Sequence, residues 1–172
     1  MTPSRVSRPV RAKDKIVTRR PLAALVRQLR RRGQQVVFAN GCFDLLHVGH
    51  VSLLEQAKQA GDILIVGINS DRSVRSLKGP ARPILPERER ALLVASLGCV
   101  DFVTVFDEPT PYALISALKP TILVKGADWK ADQIVGRDVV EREGGRVVRI
   151  RLVEGHSTTR LIGKIQAGRP CG

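Results

Sequence analysis

The stretch FANGCFDLLHVGH, residues 38–50, sets two of the chain's three histidines, His47 and His50, behind an apolar run and beside Cys42, Asp44 and Gly49. If a helix opens here, both imidazoles can add N–H donors to the orphan backbone N–H groups of its first turn, where negative charge is favoured. Gly49 leaves no Cβ between a phosphate and that backbone. The competing reading is a pair of polar residues capping a helix, with Asp44 orienting a histidine or serving as a cap. Three further stretches carry residue types suited to phosphate oxygens: NSDRSVRSLKGPARP, with Lys78 and Arg82; KGADW, with Lys125, Gly126, Asp128 and Trp129; and EGHSTT, with Glu154, Gly155, Ser157, Thr158 and Thr159. Each has a plainer reading: solvated charges for Lys78 and Arg82, core packing for Trp129, an N-cap for Ser157. No GxxxxGK[ST] loop and no GxGxxG turn is present, so phosphate has to be held another way.

The segments between these stretches alternate in character. QVVFA (35–39), DILIVGIN (62–69), DFVTV (101–105), TILVKG (121–126) and RVVRIRLV (146–153) read as strands. VSLLEQAKQAG (51–61), PERERALLVASLG (86–98), PYALISALK (111–119), a weaker segment near 133–143 and STTRLIGKIQAG (157–168) read as helices. Apolar strands spaced by helices predict a doubly wound, Rossmann-like α/β domain with helices on both faces of a parallel sheet. Ligands of such sheets bind beyond the carboxyl ends of the strands, and every chemistry-bearing stretch follows a strand. The segment 70–84 is expected as a polar loop. Gly79, between Lys78 and Pro80, gives it freedom to fold over a phosphate.

Charge separates the body from its leader. The net charge is +13, of which residues 1–33 supply +10, with eleven Lys or Arg against the single acid Asp14. We expect a flexible basic arm over 1–14, a basic helix PLAALVRQLRRRG, one domain over 15–167 and a short tail over 168–172. An RNA-associated arm is the alternative; it predicts salt-dependent RNA retention that vanishes without residues 1–33. Aromatic residues make up only 3%, few platforms for stacking bases, so no nucleic-acid partner is expected. No apolar run approaches the roughly 18 residues that span a bilayer, and the first residues lack the apolar core of a secretory signal. Cys42, Cys99 and Cys171 are odd in number and lack metal-ligand spacing, so reduced thiols and a cytoplasmic location are expected.

GCFDLLHVGH resembles the HxGH signature of the cytidylyltransferase-like nucleotidyltransferases, and EGHSTT resembles their second, Ser/Thr-rich signature. The resemblance covers about residues 15–167. Across the five stretches NGCFDLLHVGHVSLLEQAK, GINSDRSVRSLKGPARPI, VDFVTVFDEPTP, VKGADW and EGHSTT it looks most like the D-glycero-β-D-manno-heptose 1-phosphate adenylyltransferase branch, and the stand-alone form is expected, since 172 residues leave no room for a sugar kinase. Two departures separate this chain from other branches. Leu152 stands where cytidylyltransferases carry an Arg before the Gly, and Ile162 where the pantetheine-phosphate branch ends its signature in Arg. His156 replaces the Ile of the general signature.

That resemblance implies transfer of AMP from ATP to a heptose 1-phosphate, with ADP-heptose and pyrophosphate as products and lipopolysaccharide or another surface glycan as destination. A glycerol- or ribitol-phosphate cytidylyltransferase is the alternative within the class. It implies His47, His50 and Lys78 as catalytic residues. Nucleotide contacts would come from Cys42, Phe43, Gly49, Lys125, Gly126, Asp128, Trp129, Glu154, Gly155, Ser157, Thr158 and Thr159. Asp44, Lys78 and Arg82 would hold the sugar phosphate, Mg²⁺ would enter through the ATP phosphates, and the protein would be a homo-oligomer.

Overall fold

The computed structural model describes residues 10–127, 133–151, 153 and 155–168. Asp128, Trp129 and Glu154, the start of the basic arm and the last four residues lie outside them.

Five strands form one wholly parallel sheet: β1 (Val36–Gly41), β2 (Ile63–Asn69), β3 (Phe102–Phe106), β4 (Ile122–Gly126) and β5 (Arg146–Ile150), in the order β3-β2-β1-β4-β5. Alternation along β1 shows why helices must cover both faces. Val37 and Ala39 point into a cluster with Leu64, Val66, Leu54, Ala57, Ala91 and Val94. These draw α2 (Val48–Gln59) and α4 (Glu87–Ser96) onto that face. Val36 and Phe38 join Leu22, Val26, Leu114, Leu118 and Val140 on the other, which binds α1 (Arg19–Arg31), α5 (Tyr112–Leu118) and α6 (Arg137–Arg142). The doubly wound expectation is met. The chain reverses direction across the sheet between β1 and β4, the switch point where such folds open a crevice.

Before α1, the short 3-10 turn Ala12–Lys15 sits against the body: Lys15 Nζ donates to Val100 O at 2.8 Å. Ile16 bridges Val103 in parallel, and Val17 N donates to Val103 O at 2.8 Å. Among the described residues, no helix is long and apolar enough to cross a membrane.

Two boundaries differ from expectation. The segment predicted as a polar loop is a helix over Asp71–Lys78, α3, whose N-cap Ser70 accepts from Ser73 N. Eight residues with few apolar side chains carry too weak a period to be read, and the cap alone marks the start. The last strand stops at Ile150 rather than 153, and α7 (Thr158–Gln166) follows after a polar turn.

Candidate functional site

Strand β1 ends at Gly41 and the chain turns sharply, with Phe43 and Leu45 at φ 48° and 50°, before α2 begins. That turn buries Asp44, 1% exposed. Its carboxylate neither caps α2 nor orients a histidine; it accepts from Arg82 Nε at 2.7 Å, from Ile84 N at 2.9 Å and from Leu85 N at 3.0 Å. Burial pushes this carboxyl up, but the two backbone donors and Arg82 outweigh it and hold it below the usual carboxylate range. Asp44 therefore pins the 82–85 segment to the end of β1. Neither terminal nitrogen of Arg82 hydrogen-bonds a described residue.

His47 is the N-cap of α2, without a side-chain cap bond, and His50 lies in the first turn. Their rings stack, centroids 3.8 Å apart and planes at 24°, and Phe43, buried beneath, brings its ring centroid to 5.2 Å from His50. Phe43 can thus meet a nucleotide only through its backbone. Both Nδ1 atoms are buried without a partner. An orphaned acceptor is tolerated better than an orphaned N–H, which assigns the proton of each ring to the outward Nε2. Two stacked imidazolium ions would repel. Burial, then His47, pushes His50 down to about 4; burial, then His156, lowers His47. The pair is a set of neutral N–H donors, not a cationic clamp.

This has a checkable consequence. In the unfolded chain an imidazole takes its proton near 6.5, whereas folded His50 stays neutral to about 4. Its contribution to stability is complete above about pH 6.5 and is lost as pH falls from there toward 4. Titration of the imidazole carbon-bound protons by NMR should find one ring unprotonated until about pH 4. A His50 ring titrating near 6.5 in the folded protein would contradict the neutral stack.

Gly49 is needed for a reason the sequence did not disclose. A Cβ there would lie 3.0 Å from His47 Nδ1, 3.1 Å from its Cε1 and 3.3 Å from His156 Cβ. The close approach is made by the His47 ring itself. Gly49→Ala is expected to lower kcat/KM by about tenfold to a hundredfold through displacement of His47. Alanine's better helix propensity, about 1 kcal/mol, should keep or raise the melting temperature. Loss of activity together with loss of stability would instead indicate a packing role.

The other stretches converge on the same edge. Lys125, near the end of β4, donates from Nζ to Asn40 Oδ1 at 2.5 Å, across the switch point, with Gly126 closing the strand. Lys78 is the exposed last residue of α3, and burial pushes the Cys42 thiol up against the opposing charge of Lys78. Ser157 caps α7 by accepting from Arg160 N at 3.2 Å. Thr158 Oγ1 donates to Asp44 O at 2.8 Å, joining the last helix to the first loop. Thr159 is exposed on the same turn. A cleft of about 390 Å³ opens there, lined by His47, Gly155, His156, Ser157, Arg160, Leu161 and Lys164.

Two residues outside the sequence reading matter. His156 joins the other two histidines, so all three in the chain meet; the available signal was its place immediately before the Ser/Thr cluster. Arg90, fully buried, donates from Nε to Leu85 O at 2.9 Å, from Nη1 to Cys42 O at 2.5 Å and from Nη2 to Asp71 Oδ1 at 2.7 Å. It binds together the turn after β1, the segment before α4 and the start of α3.

The cytidylyltransferase-like family profile matches residues 38–162. The chain is 55% identical over 152 residues to the bifunctional protein HldE of Syntrophotalea carbinolica, covering 88% of this chain and 31% of that protein. It is 55% identical over 147 residues to the bifunctional protein HldE of Geotalea uraniireducens, covering 86% and 30%. It thus spans about a third of the length of the curated relatives it matches. Among solved structures it resembles the lipopolysaccharide core biosynthesis protein of Thermoplasma volcanium, with TM-score 0.62 and 31% identity over 71% of this chain and 100% of the other.

Proposed function

Since the chain belongs to the cytidylyltransferase-like family, we propose that residues 15–167 transfer AMP from ATP to D-glycero-β-D-manno-heptose 1-phosphate. The products are ADP-heptose and pyrophosphate, made in the cytoplasm for lipopolysaccharide or another surface glycan. The observation that carries this reading is the meeting of the first and last motif loops. His47 of the stacked pair and Ser157 line one cleft, and Thr158 of the same turn is tied to Asp44 O in the loop after β1. The likeness of five loops to the heptose-phosphate branch supports the choice of substrates, and the name of the Thermoplasma volcanium protein supports the glycan destination.

The chemistry is in-line. An oxygen of the sugar phosphate forms a bond to the α-phosphorus, the bond from that phosphorus to the bridging oxygen breaks, and its electron pair leaves with pyrophosphate. A phosphate monoester has a second pKa of about 6, so the nucleophile is already ionised and needs no general base. What it needs is alignment and relief of repulsion between two anions. His47 and His50 supply this through Nε2–H donors toward the α-phosphate oxygens, with no proton to lose or gain. Lys78 and the free nitrogens of Arg82 hold the sugar phosphate, and Ser157, Thr158 and Thr159 receive the β- and γ-phosphates at the start of α7. Lys125 and Gly126, at the end of β4, lie where the nucleoside would enter, and the resemblance adds Asp128 and Trp129 as further nucleotide contacts. Among the described residues the buried carboxylate here, Asp44, is taken up by its own donors, so the site would fit Mg²⁺ brought in on the triphosphate, where it would neutralise phosphate charge.

The test is pyrophosphate release with ATP or CTP against heptose 1-phosphate or glycerol 3-phosphate. Turnover is expected with ATP and heptose 1-phosphate. Turnover with CTP and glycerol 3-phosphate alone would replace the reading by a glycerol-phosphate cytidylyltransferase.

A further inference from the structure

Arg19, Arg20, Arg27, Arg30, Arg31 and Arg32 all lie in α1 or at its C-cap, with no acid among them. Two of these fasten the helix to the body: Arg19 Nη2 donates to Glu108 Oε2 at 2.7 Å, and Arg30 Nη1 donates to Lys119 O at 2.8 Å. Arg20, Arg27, Arg31 and Arg32 are exposed, and none of them pairs with a described residue. Leu22, Val26 and Leu29 are the residues that α1 buries. Arg20, Ala24, Arg27 and Arg31 recur at spacings of four, three and four, which keep to one side of a helix, and that side is turned away from the buried residues. The row is about 16 Å long at the rise of an α-helix. Arg27 and Arg31, four apart, repel each other. The row therefore weakens the fold slightly and supports none of its contacts.

A basic helix face is often only a solvated one. This one stands in the part of the chain where charge goes uncompensated: residues 1–33 carry eleven Lys or Arg against Asp14 alone. A surface of that kind attracts a broad anionic partner. Single-stranded RNA is held by stacking on aromatic rings as well as by charge, and α1 has no aromatic residue. A bilayer containing anionic lipids needs no ring, because it attracts each Lys or Arg at its surface through charge alone. Helix α1 also packs on the face of the sheet opposite α2, whose first turn carries His50 and whose N-cap is His47. A flat surface laid along α1 leaves the cleft beside His47 uncovered.

We infer that the outer face of α1 docks on a bilayer containing anionic lipids and holds the protein at the membrane surface without insertion, with Arg20, Arg27 and Arg31 as the contacts. The inference is independent of the nucleotidyl-transfer reading, which rests on other residues.

The experiment is co-sedimentation of the full chain with vesicles of phosphatidylcholine alone and of phosphatidylcholine mixed with phosphatidylglycerol, at low and at high salt. The wild type is expected to sediment with the phosphatidylglycerol vesicles at low salt, to leave them as salt rises, and to ignore phosphatidylcholine. Glutamine at positions 20, 27 and 31 together should weaken the binding by about a hundredfold, about fivefold for each charge removed. Lysine at the same three positions should restore it, since a lipid surface reads charge rather than the guanidinium fork. Melting temperature and pyrophosphate release should match the wild type in both triple variants, because none of the three side chains has a partner in the fold. A wild type that ignores phosphatidylglycerol vesicles overturns the inference, and so does a glutamine variant that binds them as tightly as the wild type. Tighter binding of the wild type to a random-sequence RNA than to the vesicles, lost in the glutamine variant, gives the face to RNA and overturns the inference as well.

Discussion

Alanine at His47 or at His50 is expected to lower kcat by about 10²–10³, the usual cost of removing one preorganised donor from a developing oxyanion. The melting temperature at neutral pH should change little, because each ring already leaves its Nδ1 unpaired and gives the fold only stacking and partial burial. The two losses should not multiply. The rings lie 3.8 Å apart and each fixes the other's orientation, so either deletion disturbs both donors. The double variant is expected to fall close to the worse single variant, as groups that act as a unit do. Asparagine at position 50 tests the neutral-donor argument separately. If an uncharged N–H is what matters, it should retain more activity than alanine; if charge matters, it should not. Wild-type turnover in either alanine variant would remove these rings from the mechanism.

The largest effect on stability is expected at Arg90. It is wholly buried, and its three donors go to Leu85 O, Cys42 O and the Asp71 carboxylate, groups on three separate segments. Arg90→Met fills most of the volume but orphans two carbonyls and strands the Asp71 charge, a loss of about 3–5 kcal/mol for breaking a buried pair. For a chain of this size that is a melting temperature lower by about 6–20 °C. Arg90→Lys should recover little, since a single ammonium cannot reach three acceptors in a fork. Chemical denaturation gives the number directly. A loss below about 1 kcal/mol would mean that water replaces the guanidinium, and that the turn after β1 stands without it.

Much of this architecture was legible because it depends on local pattern. Buried parallel strands announce themselves as apolar runs, and the stretches with the candidate residues follow those strands in the fold. The features that escaped are those whose meaning depends on a distant partner. Arg90 sits in PERERALLV as one charge among four, and nothing nearby says that two carbonyls and Asp71 compensate its burial. Asp44 looked like a neighbour of His47, yet its donors come from residues 82–85. Helix α3 was hidden because Val74 is its only buried apolar residue. Gly49 was expected to admit a ligand; its own histidines already occupy that space.

The segment at Ile16 and Val17 has a consequence for the behaviour of many molecules rather than one. An open sheet offers unpaired backbone at each edge, a template on which further chains can add and aggregate. At the β3 edge those groups are partly taken by Val17 N on Val103 O and by the bridge from Ile16. At the other edge β5 is only five residues long, with Arg146 and Arg149 on it. One edge is partly covered and the other is short and charged, so a concentrated solution of this protein is protected against strand-by-strand growth, and trimming the chain through Val17 would uncover the β3 edge, which carries no basic residue of its own.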